Sequence, residues 1–134
     1  MMRIAIVGSR KYQNKTRIKD FIFKLKQKYN EDLIIVSGGC KDGADKHAKK
    51  YAMEFDVKYE EYPPYHFNYN QYCVLSYDNY GKPYNVRNYF IRNKQIAETS
   101  DYIIAFIPQG DISRGTFDTL NKSEKLGKKT LIIN

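Results

Sequence analysis

The fold of this chain is decided by the stretch Val36-Ser37-Gly38-Gly39-Cys40-Lys41-Asp42-Gly43-Ala44-Asp45. An apolar run over residues 33–36 leads into paired glycines, and a segment with helical periodicity begins near Asp42. A strand, a glycine turn and a helix in this order suit a phosphate group. Glycine lets the backbone approach an anion, and the helix start offers free N–H groups and a positive dipole end. The stretch therefore predicts a phosphate-binding turn.

Two further turns repeat this arrangement. Val7-Gly8-Ser9-Arg10 follows the first apolar run, and Ser113-Arg114-Gly115-Thr116 follows the run over residues 102–108 and opens the last helical segment. In a parallel sheet all three turns would lie at the carboxyl ends of the strands, where ligands bind in such folds. Three turns at one sheet edge indicate a ligand site much more specifically than one does.

Strands and helices are predicted to alternate along the whole chain. Apolar runs predict strands at 3–7, 33–36, 57–62, 102–107 and 130–133, and helical periodicity covers 16–29, a segment from 42 onward, about 86–99, and 115–126. This order predicts an α/β fold with a mostly parallel sheet of about five strands between two layers of helices. We expect one domain over residues 1–134. We also expect Asp42 to cap its helix, with Asp45 in a capping-box-like position.

Residues at about 64–86 interrupt the alternation. Seven tyrosines occur between positions 65 and 89, which is too aromatic for a disordered linker and predicts an ordered, functional insertion loop. Such tyrosines either stack on a base or pack the loop onto its own domain or onto a second subunit, and the sequence leaves these readings open.

Composition limits the class of protein. Two cysteines, Cys40 and Cys73, fit a reducing cytoplasmic setting, and no apolar stretch is long enough for a membrane span. No metal-ligand spacing, no lysine-bearing phosphate loop and no Gly-x-Gly-x-x-Gly fingerprint occurs, so we expect neither a metal nor a resident cofactor. The net charge of +8 fits nucleic acid or a small phosphorylated ligand, although lysines spread along helices are more often solvated faces.

Taken together, the motifs resemble a known family. The segment from Ile4 to Arg10, the Gly-Gly stretch, the Arg92-Asn93 pair and the Ser113-Arg-Gly-Thr116 turn resemble the SLOG superfamily in order and spacing. This Rossmann-like group contains the DNA-processing protein DprA/Smf and the LOG cytokinin-activating enzymes. The small YspA-like, cpYpsA-related branch is the most similar. The resemblance implies a Rossmann-like three-layer sandwich.

The resemblance also implies a nucleotide or nucleotide-derived ligand across the carboxyl ends of the strands, held by a sensor or sequestering protein. Related proteins commonly pair, so a homo-oligomer is expected. The residues that match the family's motifs, and so are expected to contact the ligand or its phosphate, are Gly8, Ser9, Arg10, Ser37, Gly38, Gly39, Asp45, Arg92, Asn93, Arg114, Gly115 and Thr116. Cys40 stands where the branch usually has alanine.

Two alternative functions stay open. LOG enzymes hydrolyse the N-glycosidic bond of nucleoside monophosphates with a glutamate, but the matching position here is Thr119, which leaves only Asp118 and Asp45 as weak catalytic candidates. Single-stranded nucleic-acid binding, by analogy with DprA, is the other alternative, and nucleic acid is the less favoured partner.

Overall fold

The computed structural model describes residues 1–40, 42–63 and 86–134, and for 86–88 the backbone only. The strands of the described chain are β1 Met2–Gly8, β2 Leu33–Ser37, β3 Lys58–Glu61, β4 Tyr102–Phe106 and β5 Lys129–Ile133. The helices are α1 Lys15–Tyr29, α2 Gly43–Glu54, α3 Val86–Thr99 and α4 Arg114–Lys125, and a short 3₁₀ turn spans Asn30–Asp32.

The strands form one parallel sheet in the order β3-β2-β1-β4-β5. All four strand pairs are parallel, and β1 lies at the centre with Ile4 opposite Ile35 of β2 and Tyr102 of β4. The predicted Rossmann-like α/β fold is confirmed. The carboxyl ends of the described strands therefore share one edge, which brings the three glycine-containing turns together.

Alternating side chains of the sheet bury two apolar layers. Ile4 and Ile6 of β1 pack on the side that α1 and α2 cover, whereas Ala5 and Val7 pack with α3 and α4. Ile18 and Ile22, one turn apart on α1, are fully buried against the first side. This two-sided burial explains why the strand segments read as continuous apolar runs.

Two helix starts differ from each other in their caps. The Asn14 side chain caps α1 by accepting a hydrogen bond from the Arg17 N–H at 3.2 Å. Asp42 occupies the N-cap position of α2, but its side chain makes no capping hydrogen bond. The capping-box prediction is wrong because Asp45 Oδ2 instead accepts the N–H of Cys40 at 3.1 Å.

The predicted tyrosine-rich loop at about 64–86 lies outside the described residues, apart from the start of α3. Among the helices described, none has the length and apolar character needed to cross a membrane.

Candidate functional site

A polar cleft opens at the carboxyl edge of the sheet, beside the end of β1. Since β1 has β2 on one side and β4 on the other, the order of connection reverses there, and such reversal points are where open α/β sheets bind ligands. The space within and in front of the cleft amounts to about 270 Å³ and includes open solvent. Its walls are formed by Val7, Gly8, Gly38, Asp45, Arg92, Asn93, Ile96, Gly115, Thr116 and Thr119.

Gly38 lies between two charged groups, the partly buried Arg92 of α3 and the buried Asp45 of α2. A Cβ at position 38 would lie 2.2 Å from Arg92 Nη1 and 3.1 Å from Asp45 Oδ2. Arg92 Nη1 donates to the carbonyl oxygen of Gly38 at 2.9 Å. A side chain at position 38 would therefore displace the Arg92 guanidinium from the place it occupies.

Both charged groups are shielded from solvent, and this changes their pKa values. Burial raises the pKa of the Asp45 carboxyl from 3.8 to about 6, although the charge of Arg92 and the N–H of Cys40 lower it. Burial also lowers the pKa of Arg92, which the Asp45 charge opposes. A carboxyl group that titrates near neutral pH thus lines the cleft opposite a permanent cation.

Asn93 joins α3 to the first turn of α4. Its Oδ1 accepts the Arg92 Nε at 3.0 Å, and its Nδ2 donates to the Gly115 carbonyl oxygen at 3.2 Å and to Asp118 Oδ2 at 3.1 Å. Asn93 is almost fully buried. The side chain consequently holds Arg92 and the start of α4 in a fixed relation.

The amino terminus of α4 faces the same cleft. Ser113 is its N-cap but makes no side-chain capping bond to the helix backbone, and its Oγ lies 2.6 Å from Thr116 Oγ1. Gly115 and Thr116 line the cleft, and Arg114 is exposed. The first N–H groups of a helix carry positive potential, so this end of the cleft suits an anion.

Arg10 and Tyr89 lie near the cleft. Arg10 is exposed, and the Cys40 and Tyr89 side chains raise the pKa of its guanidinium. The Tyr89 ring centroid lies 5.5 Å from Arg92 Cζ. Tyr89, which the sequence placed only in the tyrosine-rich loop, is therefore close to both arginines.

The hydroxyl groups of Ser9 and Ser37 form hydrogen bonds to residues of the surrounding turns and do not line the cleft. Ser9 Oγ donates to Asp111 Oδ2 at 2.6 Å and accepts the Lys11 N–H at 3.0 Å. Ser37 Oγ accepts the Gly39 N–H at 3.3 Å. Both hydroxyl groups fix the shape of the turns that carry the cleft walls.

Glu61 is a buried residue that the sequence analysis missed. It is fully buried at the end of β3, where Oε1 accepts the Tyr59 hydroxyl at 2.9 Å and lies 3.6 Å from Lys49 Nζ. A Cβ on Gly39 would lie 2.4 Å from Glu61 Cδ, so the Glu61 carboxyl group packs directly against the turn at Gly39. The only signal in the sequence is the Glu60-Glu61 pair, whose members face opposite sides of the sheet.

The structure thus brings together seven of the predicted binding residues, which are Gly8, Gly38, Asp45, Arg92, Asn93, Gly115 and Thr116. Five others are not part of the described cleft wall, and these are Ser9, Arg10, Ser37, Gly39 and Arg114.

Of the catalytic candidates, Asp45 lines the cleft. Asp118 is held by Asn93 and by Lys122 Nζ at 2.5 Å. Thr119 also lines the cleft and donates to the Gly115 carbonyl oxygen at 3.2 Å. In the described part of the chain, no group of three acidic, histidine or cysteine side chains is placed to hold a metal ion.

The fold and the cleft define a Rossmann-like α/β protein with a polar cleft at the strand switch point. The model of the YspA, cpYpsA-related SLOG family matches residues 2–68, and the chain belongs to this family. No sequence among curated proteins matches it significantly.

Solved structures share the fold at low sequence identity. The chain resembles the molybdenum cofactor binding protein from the phototrophic bacterium Rippkaea orientalis, with a TM-score of 0.71 and 17% identity over 98% of this chain and 75% of that one. It also resembles the molybdenum cofactor carrier protein from Chlamydomonas reinhardtii, with a TM-score of 0.65 and 14% identity over the same shares. These similarities extend along nearly the whole chain.

Proposed function

We propose that this protein binds a nucleotide or nucleotide-derived phosphorylated molecule in the cleft, as a sensor or sequestering protein without turnover. The observation that carries the proposal is the convergence of the uncapped α4 amino terminus with Gly8 and Gly38 at the strand switch point. Backbone N–H groups and a helix dipole bind phosphate in general, and exposed Arg114 adds a cation beside them. The structural neighbours are named for binding or carrying a cofactor, which supports a binding role.

The test is a thermal-shift series against nucleoside mono-, di- and triphosphates, dinucleotides and the molybdenum cofactor, together with mass spectrometry of small molecules released on denaturation. A ligand at 100 times its dissociation constant adds about 2.7 kcal/mol of stability. A phosphorylated ligand recovered unchanged supports the proposal. Absence of a shift with every nucleotide contradicts it, and a shift with the molybdenum cofactor alone would reassign the ligand.

A matched pair of variants locates the phosphate. Arg114→Gln removes a cation at the amino terminus of α4, whereas Lys125→Gln removes one at its carboxyl end. A charged hydrogen bond contributes about 1.5–3 kcal/mol, so Arg114→Gln should weaken binding by about tenfold or more. Lys125→Gln should leave the affinity within about twofold. Equal effects would place the phosphate elsewhere.

Hydrolysis of nucleoside monophosphates is a second candidate, because Asp45 lines the cleft and burial raises its pKa to about 6. A carboxyl group in this range is suited to general acid–base catalysis near neutral pH. Release of free base, abolished by Asp45→Asn and retained by Asp118→Asn, would establish this activity. If a nucleotide binds but no base is released, the binding role stands alone.

A further inference from the structure

A group of exposed lysines lies outside the cleft, on neighbouring turns of α1 and α2. These are Lys15, Lys19, Lys46 and Lys50, referred to below as the α1–α2 lysine cluster. Both helices follow strands of the parallel sheet, so the amino-terminal halves that carry Lys15, Lys19 and Lys46 are nearest the carboxyl edge, and Lys50 lies one turn further along α2. The cluster therefore lies on the same side of the molecule as exposed Arg10.

The two helices bring these charges close together. Lys19 Nζ lies 6.0 Å and Lys50 Nζ 5.3 Å from the centroid of the same Tyr51 ring. The pKa of His47 reflects the positive potential of these lysines. Burial lowers the pKa of its ring, Lys46, Lys50 and Lys15 lower it further, and a hydrogen bond with the Tyr12 backbone opposes them. Lysines from both helices thus create one positive region around His47.

Stability of the folded chain does not explain this placement. Lys15 and Lys19, like Lys46 and Lys50, are four residues apart on one helix, and like charges at this spacing destabilise a helix by about 0.2–0.5 kcal/mol per pair. Cations near a helix amino terminus also oppose its dipole. In the described part of the chain no carboxylate forms an ion pair with these lysines, although Asp20 is exposed on α1 and Asp42 is exposed at the N-cap of α2. Among the described residues, this positive charge is therefore not compensated by carboxylates.

We propose that the α1–α2 lysine cluster binds the phosphate backbone of a nucleic-acid strand. Lysines four residues apart are separated by about 6 Å along a helix, and packed helices lie about 8–10 Å apart, so the cluster presents an array of cations to a chain of phosphates. Membrane binding would need apolar side chains among the cations. The exposed apolar residues of these helices, Phe23 and Met53, lie one turn beyond Lys19 and three residues beyond Lys50, at the edge of the cluster, and the Phe23 ring packs edge-on against Phe55.

The test compares two triple variants that lose the same charge. One is Lys15→Gln, Lys46→Gln and Lys50→Gln, and the other is Lys94→Gln, Lys125→Gln and Lys129→Gln, which lie on α3, α4 and β5, all at exposed positions. Binding of a fluorescent single-stranded oligonucleotide is measured by anisotropy at several salt concentrations. With four phosphate contacts, the wild-type affinity should fall about 50-fold between about 50 and 200 mM salt.

The cluster variant should bind at least tenfold more weakly at low salt, with a salt slope reduced by about 2, whereas the control variant should change less than threefold. In nuclear magnetic resonance titrations the oligonucleotide should raise the pKa of His47, because it neutralises the surrounding lysines. Absence of binding at low salt overturns the proposal. So does an equal loss in both variants, and so does binding to anionic phospholipid vesicles without binding to the oligonucleotide. None of these results depends on whether the cleft binds a nucleotide.

Discussion

Among single residues, Asp45 couples the cleft to pH. The folded state holds the Asp45 proton more tightly than the unfolded state, since its pKa rises from 3.8 to about 6 on folding. The contribution of this group to stability is therefore fully present below about pH 4, is lost as the pH rises to about 6, and stays constant above it. At about 1.4 kcal/mol per pKa unit the difference is on the order of 3 kcal/mol.

Asp45→Asn should remove this part of the pH dependence. Urea unfolding at pH 4 and pH 7 gives the change in the free energy of unfolding for each protein, and the wild type should lose about 2 kcal/mol more than the variant over this interval. Asp42→Asn, an exposed neighbour, should follow the wild-type profile. If Asp45→Asn does so too, the carboxyl group is not buried as described.

Gly38 is the position where a single methyl group should disrupt the cleft. In Gly38→Ala the Cβ would lie 2.2 Å from Arg92 Nη1, so the partly buried guanidinium must move and its bond to the Gly38 carbonyl oxygen is lost. We expect a loss of about 1–3 kcal/mol in the free energy of unfolding, measured by urea denaturation.

Gly115→Ala is the matched control for that substitution. No atom lies within 4 Å of a Cβ at this helical position, and alanine favours helix over glycine, so stability should be unchanged or slightly higher. If both alanine variants are equally stable, Arg92 does not occupy the space beside Gly38.

The sequence predicted the glycines of the cleft but not the reason for each one. Paired glycines after a strand indicate close approach of an anion. In the structure Gly38 accommodates Arg92 and Gly39 accommodates Glu61, and both partners are distant in sequence. Local patterns cannot predict such contacts, because they depend on how α3 and β3 are placed in the fold.

Among the secondary structure elements, the connection between α3 and α4 depends on Asn93. Replacing Asn93 by alanine removes the acceptor for the Arg92 Nε–H and the donor to the Gly115 carbonyl oxygen and Asp118 Oδ2. Each buried group left without its partner costs about 1–3 kcal/mol. We therefore expect Asn93→Ala to lower the free energy of unfolding by at least about 2 kcal/mol and to weaken ligand binding in the same thermal-shift series.

Asn121→Ala provides the control on the exposed side of α4 and should change stability by less than about 0.5 kcal/mol. A small effect at Asn93 as well would mean that α3 and α4 are held together by their apolar contacts alone.

Periodicity predicted the elements well because burial produces it. The prediction of a strand at 33–36 differs by one residue from the observed Leu33–Ser37, and a helix at 16–29 corresponds to Lys15–Tyr29. The capping-box prediction was wrong because the Asp45 carboxylate accepts the N–H of Cys40 instead. The predicted homo-oligomer and the function of the tyrosine-rich loop stay predictions.

For the whole molecule, Phe106 links the sheet to its α1 layer. It is fully buried at the end of β4, and its ring meets the rings of Tyr12 and Phe21 edge-on at centroid distances of 5.4 and 5.7 Å. Tyr12 belongs to the turn that follows β1, and Phe21 belongs to α1. The aromatic group therefore joins the central strands, the first glycine turn and a helix.

Phe106→Ala should lower the free energy of unfolding by about 3–5 kcal/mol, because the neighbouring rings cannot close the resulting cavity. Domains are stable by only about 5–15 kcal/mol, so the variant should unfold at a much lower urea concentration than the wild type. Phe23→Ala, at a ring that is 47% exposed, removes the same atoms and should cost about 1 kcal/mol or less. Equal losses in the two variants, at unchanged dependence on urea, would show that Phe106 does not hold the layers together.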